Sequence, residues 1–541
     1  MMPRLLWMLT ADQAAELIPD GAVVTVSSSS GLGCPDAVLA AIGRRFDASG
    51  SPRNLTTLHP IAAGDMWGIP GIDHLAKDGC LARVLAGSYP SGPSRAEPPK
   101  IWQMISGDRI PAYNIPSGIL FDMHREAAAK RPGVLTKVGM DTFVDPRREG
   151  CAMNAKATVA PVVQVVEFAG DEWLFFPTIV PDVAIIRATT ADERGNLSYE
   201  HEGAYLGPLD QALAVRNNGG IVIAQVKRLT QSGTLKPQQI LVPGILVDAI
   251  VVAPDQMQTT NTVYEPAISG EVFRPLNSFE LTEFGVGKVI ARRVAQELRA
   301  GDAVNLGFGI SANVPRILIE EGQHGGVTWV IEQGAVGGVP LLDFQFGCAS
   351  NAEAIMPSPY QFTYFQGGGF DCSLLSFLEI DRQGSINVSK LGARPHVTAG
   401  AGGFVDITAR ARKIVFSGYF TAGAGLSIEG GSLVIGKEGK VKKLVEAVEQ
   451  VSFSGPRAIQ QGQDITYVTE RCVMRLLPEG VTVTEIAPGV DLERDVLAQA
   501  MFRLRVADKL KVMDRALFRP EPIGLKLASR RPVRAMEEAA Q

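Results

Sequence analysis

The sequence has few features that would indicate a metal site or a redox-active dithiol. Its six cysteines are scattered over 541 residues, and no two have the CxxC spacing of a zinc knuckle or a disulfide oxidoreductase. The six histidines form no HExxH-like pair. Scattered thiols fit a reducing compartment best. We therefore expect a cytoplasmic protein without a metal site.

Long apolar runs and an excess of positive charge are also missing. The apolar stretch near the N-terminus is about five residues long, too short for a signal-peptide h-region of about 7–15 residues. No segment approaches the roughly 18 apolar residues that a membrane span needs. The net charge is −5, and no long Lys/Arg block is present. We therefore expect no nucleic-acid partner and no membrane partner.

The sequence does contain many short runs rich in Val and Ile, with helical stretches between them. Examples are residues 22–26, 183–186, 220–226 and 245–253. These runs barely alternate between apolar and polar residues, which is typical of parallel strands covered on both faces. Thr10 and Gln13 form a capping box for a first helix. A later helix has one apolar face, made by Val286, Ile290, Val294 and Leu298. The alternation predicts βαβ units.

The same order of elements occurs twice. Residues 20–39 and 301–318 both contain a strand, a loop of small residues, a proline and an apolar helix. Residues 183–198 and 375–389 both contain a strand, then Asp, a Gly turn, an Asn and a Ser. Two pairs in the same order indicate a duplication. We therefore predict an α/β protein of two related open domains, with mainly parallel sheets.

A polar stretch at residues 255–278 lacks a clear period and predicts a linker. It places an N-terminal domain at 1–275, a C-terminal domain at 280–525 and a flexible tail at 526–541. The N-terminal domain carries an extra segment at 87–150. Turns at Gly170-Asp171 and Glu438-Gly439 predict two hairpins at the edges of the sheets.

The sequence around Glu332 is the most informative for chemistry. A predicted buried strand at 327–331 ends in Glu332, and Gly334, Gly337 and Gly338 follow. Ligands of open α/β sheets bind at the carboxyl ends of strands, and glycines let the backbone approach them closely. A glutamate at a strand end can also simply face water.

A second interpretation is a dinucleotide site. Residues 307–312 have the form GxGxxA, follow a strand and open a helix, and Glu332 comes 25 residues after Gly307. An NAD-dependent oxidoreductase uses glycines under the pyrophosphate and an acid about 20 residues later. Two observations count against it: the glycines continue beyond the acid, and the first copy of the repeat has no such fingerprint.

Two further glycine clusters lie at residues 366–371 and 398–408. Such turns can present N–H groups to an anion. They can also be tight turns without a ligand.

Several long motifs resemble those of the family I coenzyme A transferases, and most closely the single-chain propionate and acetoacetate CoA-transferases. They are EQGAVGG at 332–338, GAGGFVDIT at 400–408, TKVGMDTFVDPR at 136–147 and GNLS at 195–198. The resemblance runs from about residue 10 to about residue 520. It implies transfer of CoA between a short-chain acyl-CoA and a carboxylic acid such as acetate, in a homodimer or homotetramer. An acyl-CoA hydrolase is a further alternative.

The resemblance also assigns roles to residues. Glu332 is the expected nucleophile, which would carry CoA as a thioester, so that CoA is a substrate and covalent intermediate and no cofactor is permanently bound. Gly402, Gly403 and Asn387 are expected at the oxyanion and acyl site. The coenzyme A site is expected at Gly309, Ile310, Ser311, Ala312 and Asn313.

The chain departs from this family in two places. Ser117 stands where relatives commonly have Gln, and residues 87–99 look unlike theirs. Both departures are expected near the acyl pocket, so they bear on which acid is transferred. We expect Trp102, Tyr113 and Phe121 to cap a small pocket for acids of about two to five carbons.

Overall fold

Two large mixed sheets form the centre of the protein. In this computed structural model, the structure describes residues 6–65, 68–91, 97–392 and 395–529. All neighbours along the main path of the first sheet are parallel. Its strands lie in the order Trp7–Leu9, Ala249–Val252, Ile221–Thr230, Val183–Asp192, Val23–Val26, Leu55–His59, Leu81–Ala86 and Ala112–Asn114.

The second sheet has a parallel centre with antiparallel pairs on both sides of it, and the pair at one end, Gly480–Ile486 with Arg505–Val512, is parallel again. Its strands lie in the order Ala354–Ile355, Ala335–Val336, Val327–Val330, Asp302–Leu306, Cys372–Ser376, Lys413–Ser417, Asp464–Val468, Cys472–Leu477, Gly480–Ile486 and Arg505–Val512.

Five strands of each sheet follow the same topology. Numbered along the chain within each copy, they lie side by side as fifth, fourth, third, first and second. The predicted duplication into two related α/β domains is thus visible in the order of the strands. In this arrangement Val327–Val330 is the counterpart of Leu55–His59.

Helices pack against these sheets. They are Ala11–Glu16, Asp36–Ser49, Lys100–Ser106, Ser117–Ala128, Ala155–Thr158, Pro208–Asn217, Val286–Ala295, Val314–Glu320, Ser358–Gln366, Phe404–Thr408 and Gly455–Gln460. The capping box predicted at Thr10 and Gln13 is present. All ten residues of the strand Val183–Asp192 are buried, as the apolar run at 183–186 indicates for its first half. Within the described ranges, no helix is long and apolar enough to cross a membrane.

One predicted hairpin is correct and the other is wrong. Gln164–Phe168 and Asp171–Pro177 pair around Gly170, and Gly133–Thr136 extends them to a separate small sheet. By contrast, Ser432–Lys437 pairs with the preceding strand Gly425–Glu429 and not across Glu438-Gly439. The reason is that Arg471 and Thr421 bind the Glu438 side chain, which turns the chain toward a different pairing.

The first residues of the segment predicted as a flexible tail contact the second domain. The Ala528 carbonyl accepts a hydrogen bond from the Ala300 N–H, so residues 526–529 still belong to the second domain. The rest of the predicted tail, residues 530–541, lies outside the described residues.

Candidate active site

Glu332 lies just past the carboxyl end of the strand Val327–Val330. It lines a cavity of about 1200 Å³ between the two domains. Loops after four parallel strands contribute to its wall: residues 29–32 and Ser88 from the first domain, and residues 307–309 and 377–378 from the second. The site therefore has the position that open α/β sheets favour for ligands.

The Glu332 carboxyl group is enclosed by backbone. The backbone N–H of Gly403 interacts with it, which favours the charged form. Burial acts in the opposite direction and more strongly, raising the pKa of Glu332 to about 7. A sizeable fraction of the group is therefore ionised at neutral pH but poorly hydrated. Such a carboxylate is a stronger nucleophile than one in water.

Gly403 is a position where no side chain fits. A Cβ atom there would lie 2.7 Å from Glu332 Oε2 and 2.6 Å from Phe362 Cε1. The close approach that brings the N–H onto the carboxylate thus requires glycine.

The turn at residues 399–403 is held by the first domain. Four hydrogen bonds cross between the domains: Tyr89 N–H to Ala399 O (2.8 Å), Ala401 N–H to Asn114 Oδ1 (2.8 Å), Gly402 N–H to Gly87 O (2.7 Å) and Ser117 N–H to Gly402 O (3.0 Å). The position of Gly403 on Glu332 is therefore set by both domains.

Comparison with known proteins agrees with this geometry. The family model described as coenzyme A transferase matches residues 8–253. The caffeate CoA-transferase of Acetobacterium woodii is 42% identical over 523 residues, which cover 96% of this chain and 98% of that protein. The chain belongs to the coenzyme A transferase family. The acetate CoA-transferase YdiF of Escherichia coli (strain K12) is 37% identical over 96% of both chains.

Solved structures show the same fold for this transferase. The acyl-CoA transferase YdiF apoenzyme from Escherichia coli O157:H7 superimposes with a TM-score of 0.90 at 35% identity, covering 98% of this chain and 99% of that one. A thioester complex of that protein with CoA gives a TM-score of 0.89, also at 35% identity, covering 97% and 98% of the two chains. These findings do not favour the oxidoreductase or hydrolase alternatives.

The two predicted acyl-site glycines differ in what their N–H groups do. Both Gly402 and Gly403 lie beside Glu332. The Gly402 N–H, however, already donates to the Gly87 carbonyl, so it is not available to an oxyanion. Of the two, only Gly403 presents its N–H to the Glu332 carboxyl group.

Asn387 is placed elsewhere. Its buried side-chain amide donates to Glu379 and to the Lys390 carbonyl, and its oxygen accepts from the Ser389 and Lys390 N–H groups. The neighbouring Val388 lines the cavity instead. In the part of the chain that the structure describes, Asn387 therefore supports a local turn rather than the acyl site.

The predicted coenzyme A loop is only partly at the cavity. Gly309 lines the wall with Gly307 and Phe308, and its φ of 110° requires glycine. The other predicted residues face inward or bond locally: the Ser311 hydroxyl bonds the Ser417 hydroxyl, Ala312 is buried, and Asn313 bonds the Ile310 carbonyl.

The bulky residues predicted to cap the pocket belong to the protein core. Trp102 donates to the Pro90 carbonyl and Tyr113 to the Ala160 carbonyl, while Phe121 packs on Phe362. None of the three is among the described residues that line the cavity. Ser117 is also buried, at the start of the helix Ser117–Ala128.

Several residues of the cavity wall were not predicted from the sequence. Residues 260–262, inside the predicted linker, line the cavity, as do residues 29–32 and Phe346. A signal did exist for the 29–32 loop, because in the repeat it is the counterpart of the loop at 307–312. The polar composition of the linker gave no such signal. Across the described ranges, no group of three or more His, Cys, Asp or Glu could hold a metal ion.

Proposed function

We propose that this transferase moves CoA from a short-chain acyl-CoA to a carboxylic acid such as acetate, through a glutamyl-CoA thioester on Glu332. The observation that carries the proposal is the buried carboxyl group of Glu332 at the cavity, held by the Gly403 N–H. The acetate CoA-transferase relative and the CoA thioester complex of YdiF support it.

The chemistry exchanges one thioester for another. The Glu332 carboxylate attacks the thioester carbonyl, the CoA thiolate leaves, and a mixed anhydride forms. The thiolate then attacks the Glu332 carbonyl and releases the donor acid as a carboxylate. The acceptor acid reverses these steps. Every bond broken is replaced by one formed, so no external energy source is needed.

The Gly403 N–H has a role in the second of these steps. When the thiolate attacks the Glu332 carbonyl, negative charge develops on the oxygen of that carbonyl. A backbone N–H already placed beside this oxygen stabilises it without rearrangement, and such a donor contributes roughly 3–4 kcal/mol.

The decisive test is to mix the enzyme with acyl-CoA alone, without an acceptor acid. We expect the intact protein to gain the mass of coenzyme A, and the label to map to the peptide that contains Glu332. The Glu332→Gln variant is the control and should gain nothing. A wild-type enzyme that turns over but never carries the added mass would disprove the relay.

The identity of the acid needs a separate assay. The curated relatives are named for acids of very different size, acetate and caffeate. We propose acids of about two to five carbons for this chain on the strength of the acetate relative alone, because the bulky residues expected to cap a small pocket do not line the cavity. Initial rates with acetate, propionate, butyrate and caffeate as acceptors, and with palmitoyl-CoA as a donor, test this. Preference for caffeate or palmitoyl-CoA would contradict it and leave the relay intact.

A further inference from the structure

Asp406 is a second buried acid close to the reacting glutamate. It lies in the short helix Phe404–Thr408, three residues after Gly403, and its side chain is fully buried. The negative charge of Glu332 is close enough to act on it. Burial raises the pKa of Asp406 to about 8. A buried acid of this kind is costly, so a specific role is needed to explain it.

The Asp406 carboxyl group connects three helices across the domain boundary. Its Oδ2 accepts from the Gly118 N–H at 3.0 Å, in the first turn of the helix Ser117–Ala128. Its Oδ1 accepts from Gln366 Nε2 at 3.0 Å, at the end of the helix Ser358–Gln366. The Gly118 N–H has no partner within its own helix, so Asp406 caps a helix of the first domain from the second domain.

The same end of the helix Ser117–Ala128 also contacts the turn that carries Gly403. Ser117, next to Gly118, donates its N–H to the Gly402 carbonyl. The helix Ser117–Ala128 therefore holds the turn before Gly403 through Ser117 and the helix after it through Asp406. The contact is so close that no side chain fits at Gly118, because a Cβ atom there would lie 2.5 Å from Asp406 Oδ1.

We propose that Asp406 is a positioning residue of the transfer reaction, which keeps the Gly403 N–H on the Glu332 carboxyl group by fastening the following helix to the first domain. This inference rests on the proposed function of Glu332. It predicts that loss of the Asp406 contact slows chemistry on Glu332 without weakening the binding of acyl-CoA.

The test follows the labelling of Glu332 by acyl-CoA in a single turnover, by rapid quench and intact mass. For Asp406→Ala we expect the rate constant at saturating acyl-CoA to fall about tenfold or more, as small misplacements of reacting groups do. The acyl-CoA concentration that gives half the maximal rate and the final extent of labelling should both stay within about twofold of the wild-type values. A loss of folded enzyme would instead lower the final extent of labelling. Asp406→Asn still accepts from Gly118 and should stay within about threefold of wild type.

Asp122 provides a matched control. It is the other carboxylate bound by Gln366 Nε2, on the same helix as Gly118, but its hydrogen bonds reach Gln366 and Arg125 rather than the turn. Asp122→Ala should label at close to the wild-type rate. Gly118→Ala tests the contact from its other side. Its methyl group displaces Asp406, while alanine favours the helix more than glycine does. Its labelling rate should be as low as that of Asp406→Ala.

The outcomes separate the two proposals. A wild-type enzyme without label overturns the Glu332 relay, and this inference with it. Labelling of Asp406→Ala at the wild-type rate, or an equal loss in Asp122→Ala, overturns only the positioning role. If Asp406→Ala does not fold, Gly118→Ala decides: labelling at the wild-type rate refutes the proposal, and slow labelling with unchanged acyl-CoA dependence supports it.

Discussion

At the scale of single residues, Glu332 combines two opposing influences on its charge. Burial favours the neutral acid, and the Gly403 N–H favours the carboxylate. Because burial dominates, the pKa is raised from its ordinary value near 4.5 to about 7. In the proposed relay only the ionised form can attack a thioester, so burial would supply a poorly hydrated nucleophile at the cost of having part of it protonated at neutral pH.

This balance predicts a pH dependence. Below the raised pKa the ionised fraction falls tenfold for each pH unit, and above it the fraction is constant. The labelling rate at saturating acyl-CoA should therefore rise with pH up to about 7 and then level off, with a single proton involved. Rapid-quench measurements from about pH 5 to 9 check this. A rate that is already constant above about pH 5.5 would show that Glu332 is an ordinary hydrated carboxylate.

Shortening the side chain separates nucleophilic attack from general-base catalysis. Glu332→Asp withdraws the carboxylate by one methylene, roughly 1.5 Å, and a displacement of about 1 Å can cost about a hundredfold. A water molecule can then enter between the carboxylate and the thioester. We expect most transfer to acetate to be lost and acyl-CoA hydrolysis to become faster than in wild type. Parallel assays of free thiol and of acetyl-CoA measure both reactions.

Glu332→Gln is the reference for that experiment, because an amide is neither a nucleophile nor a base. Provided that deamidation is excluded by mass, this variant should neither transfer nor hydrolyse. Near wild-type transfer by Glu332→Gln would mean that another group carries CoA.

At the scale of elements, the turn at residues 399–403 is the part of the fold on which the proposed reaction at Glu332 depends most directly. Its two adjacent glycines differ in environment. A methyl group on Gly403 would overlap both the Glu332 carboxyl group and Phe362, whereas a methyl group on Gly402 would lie 3.9 Å from the nearest atom. Gly402 has a φ of 54°, so alanine there costs about 1 kcal/mol of backbone strain but no collision.

These environments predict different effects of the same substitution. Gly403→Ala should reduce the labelling rate by about a hundredfold or more, because it pushes the N–H and the carboxyl group apart. The reduction of the labelling rate in Gly402→Ala should be at least ten times smaller than in Gly403→Ala, and the main effect of Gly402→Ala should be a lower Tm. Single-turnover labelling and thermal unfolding of both variants test this. Equal losses in the two variants would show that the turn responds to any added volume and not to contact with Glu332.

The sequence could predict the elements that are determined by residues close together in the chain. The strand that ends at Glu332 and the first helix with its capping box follow from short-range patterns, and both are present. The turn at Glu438-Gly439 has hairpin chemistry, but Arg471 lies 33 residues away and determines where Glu438 points. A local pattern cannot contain that information.

At the scale of the whole molecule, the two domains share one site, and this was only partly predictable. The duplication and the position of Glu332 after a strand could be deduced from one sequence. The contacts of residues 399–403 with Asn114, Gly87 and Ser117 join positions far apart in the chain, 287 residues in the case of Asn114, and no periodicity marks them. Asn387 shows the converse: its motif resembles the family, but its amide is used by a local turn.

Asn114 is one of the side chains that join the domains at this site. It is 3% exposed, its Oδ1 accepts from the Ala401 N–H, and its Nδ2 donates to the carbonyls of Ala86 and Gly87 at 3.1 and 2.5 Å. Because Gly87 also accepts from Gly402, the amide is part of a network that includes the turn. The two ends of the amide face opposite kinds of partner, so its orientation is unambiguous.

The last prediction uses this asymmetry. Asn114→Asp keeps the shape and the acceptor for Ala401, but it directs a second carboxylate oxygen at two carbonyl oxygens. Only the protonated acid can donate there, so folding raises the pKa of the introduced carboxyl group above its value in the unfolded chain. The group is thus tolerated when it is protonated, and it becomes destabilising as pH rises from the unfolded-state pKa, near about 4, toward the raised folded-state value.

We therefore expect the Tm of the Asn114→Asp variant to lie close to that of wild type at about pH 4.5 and to fall well below it at about pH 8. The labelling rate of Glu332, relative to wild type at each pH, should fall over the same range, because the network that holds the turn is lost with the charge. Asn114→Ala is the control: it also removes the hydrogen bonds, at a cost of about 1–3 kcal/mol for each group left unpaired, but it introduces no titratable group. Its Tm difference from wild type should therefore not change with pH. If both variants lost the same stability at every pH, the amide would serve only to fill space, and the domains would be held together by other contacts.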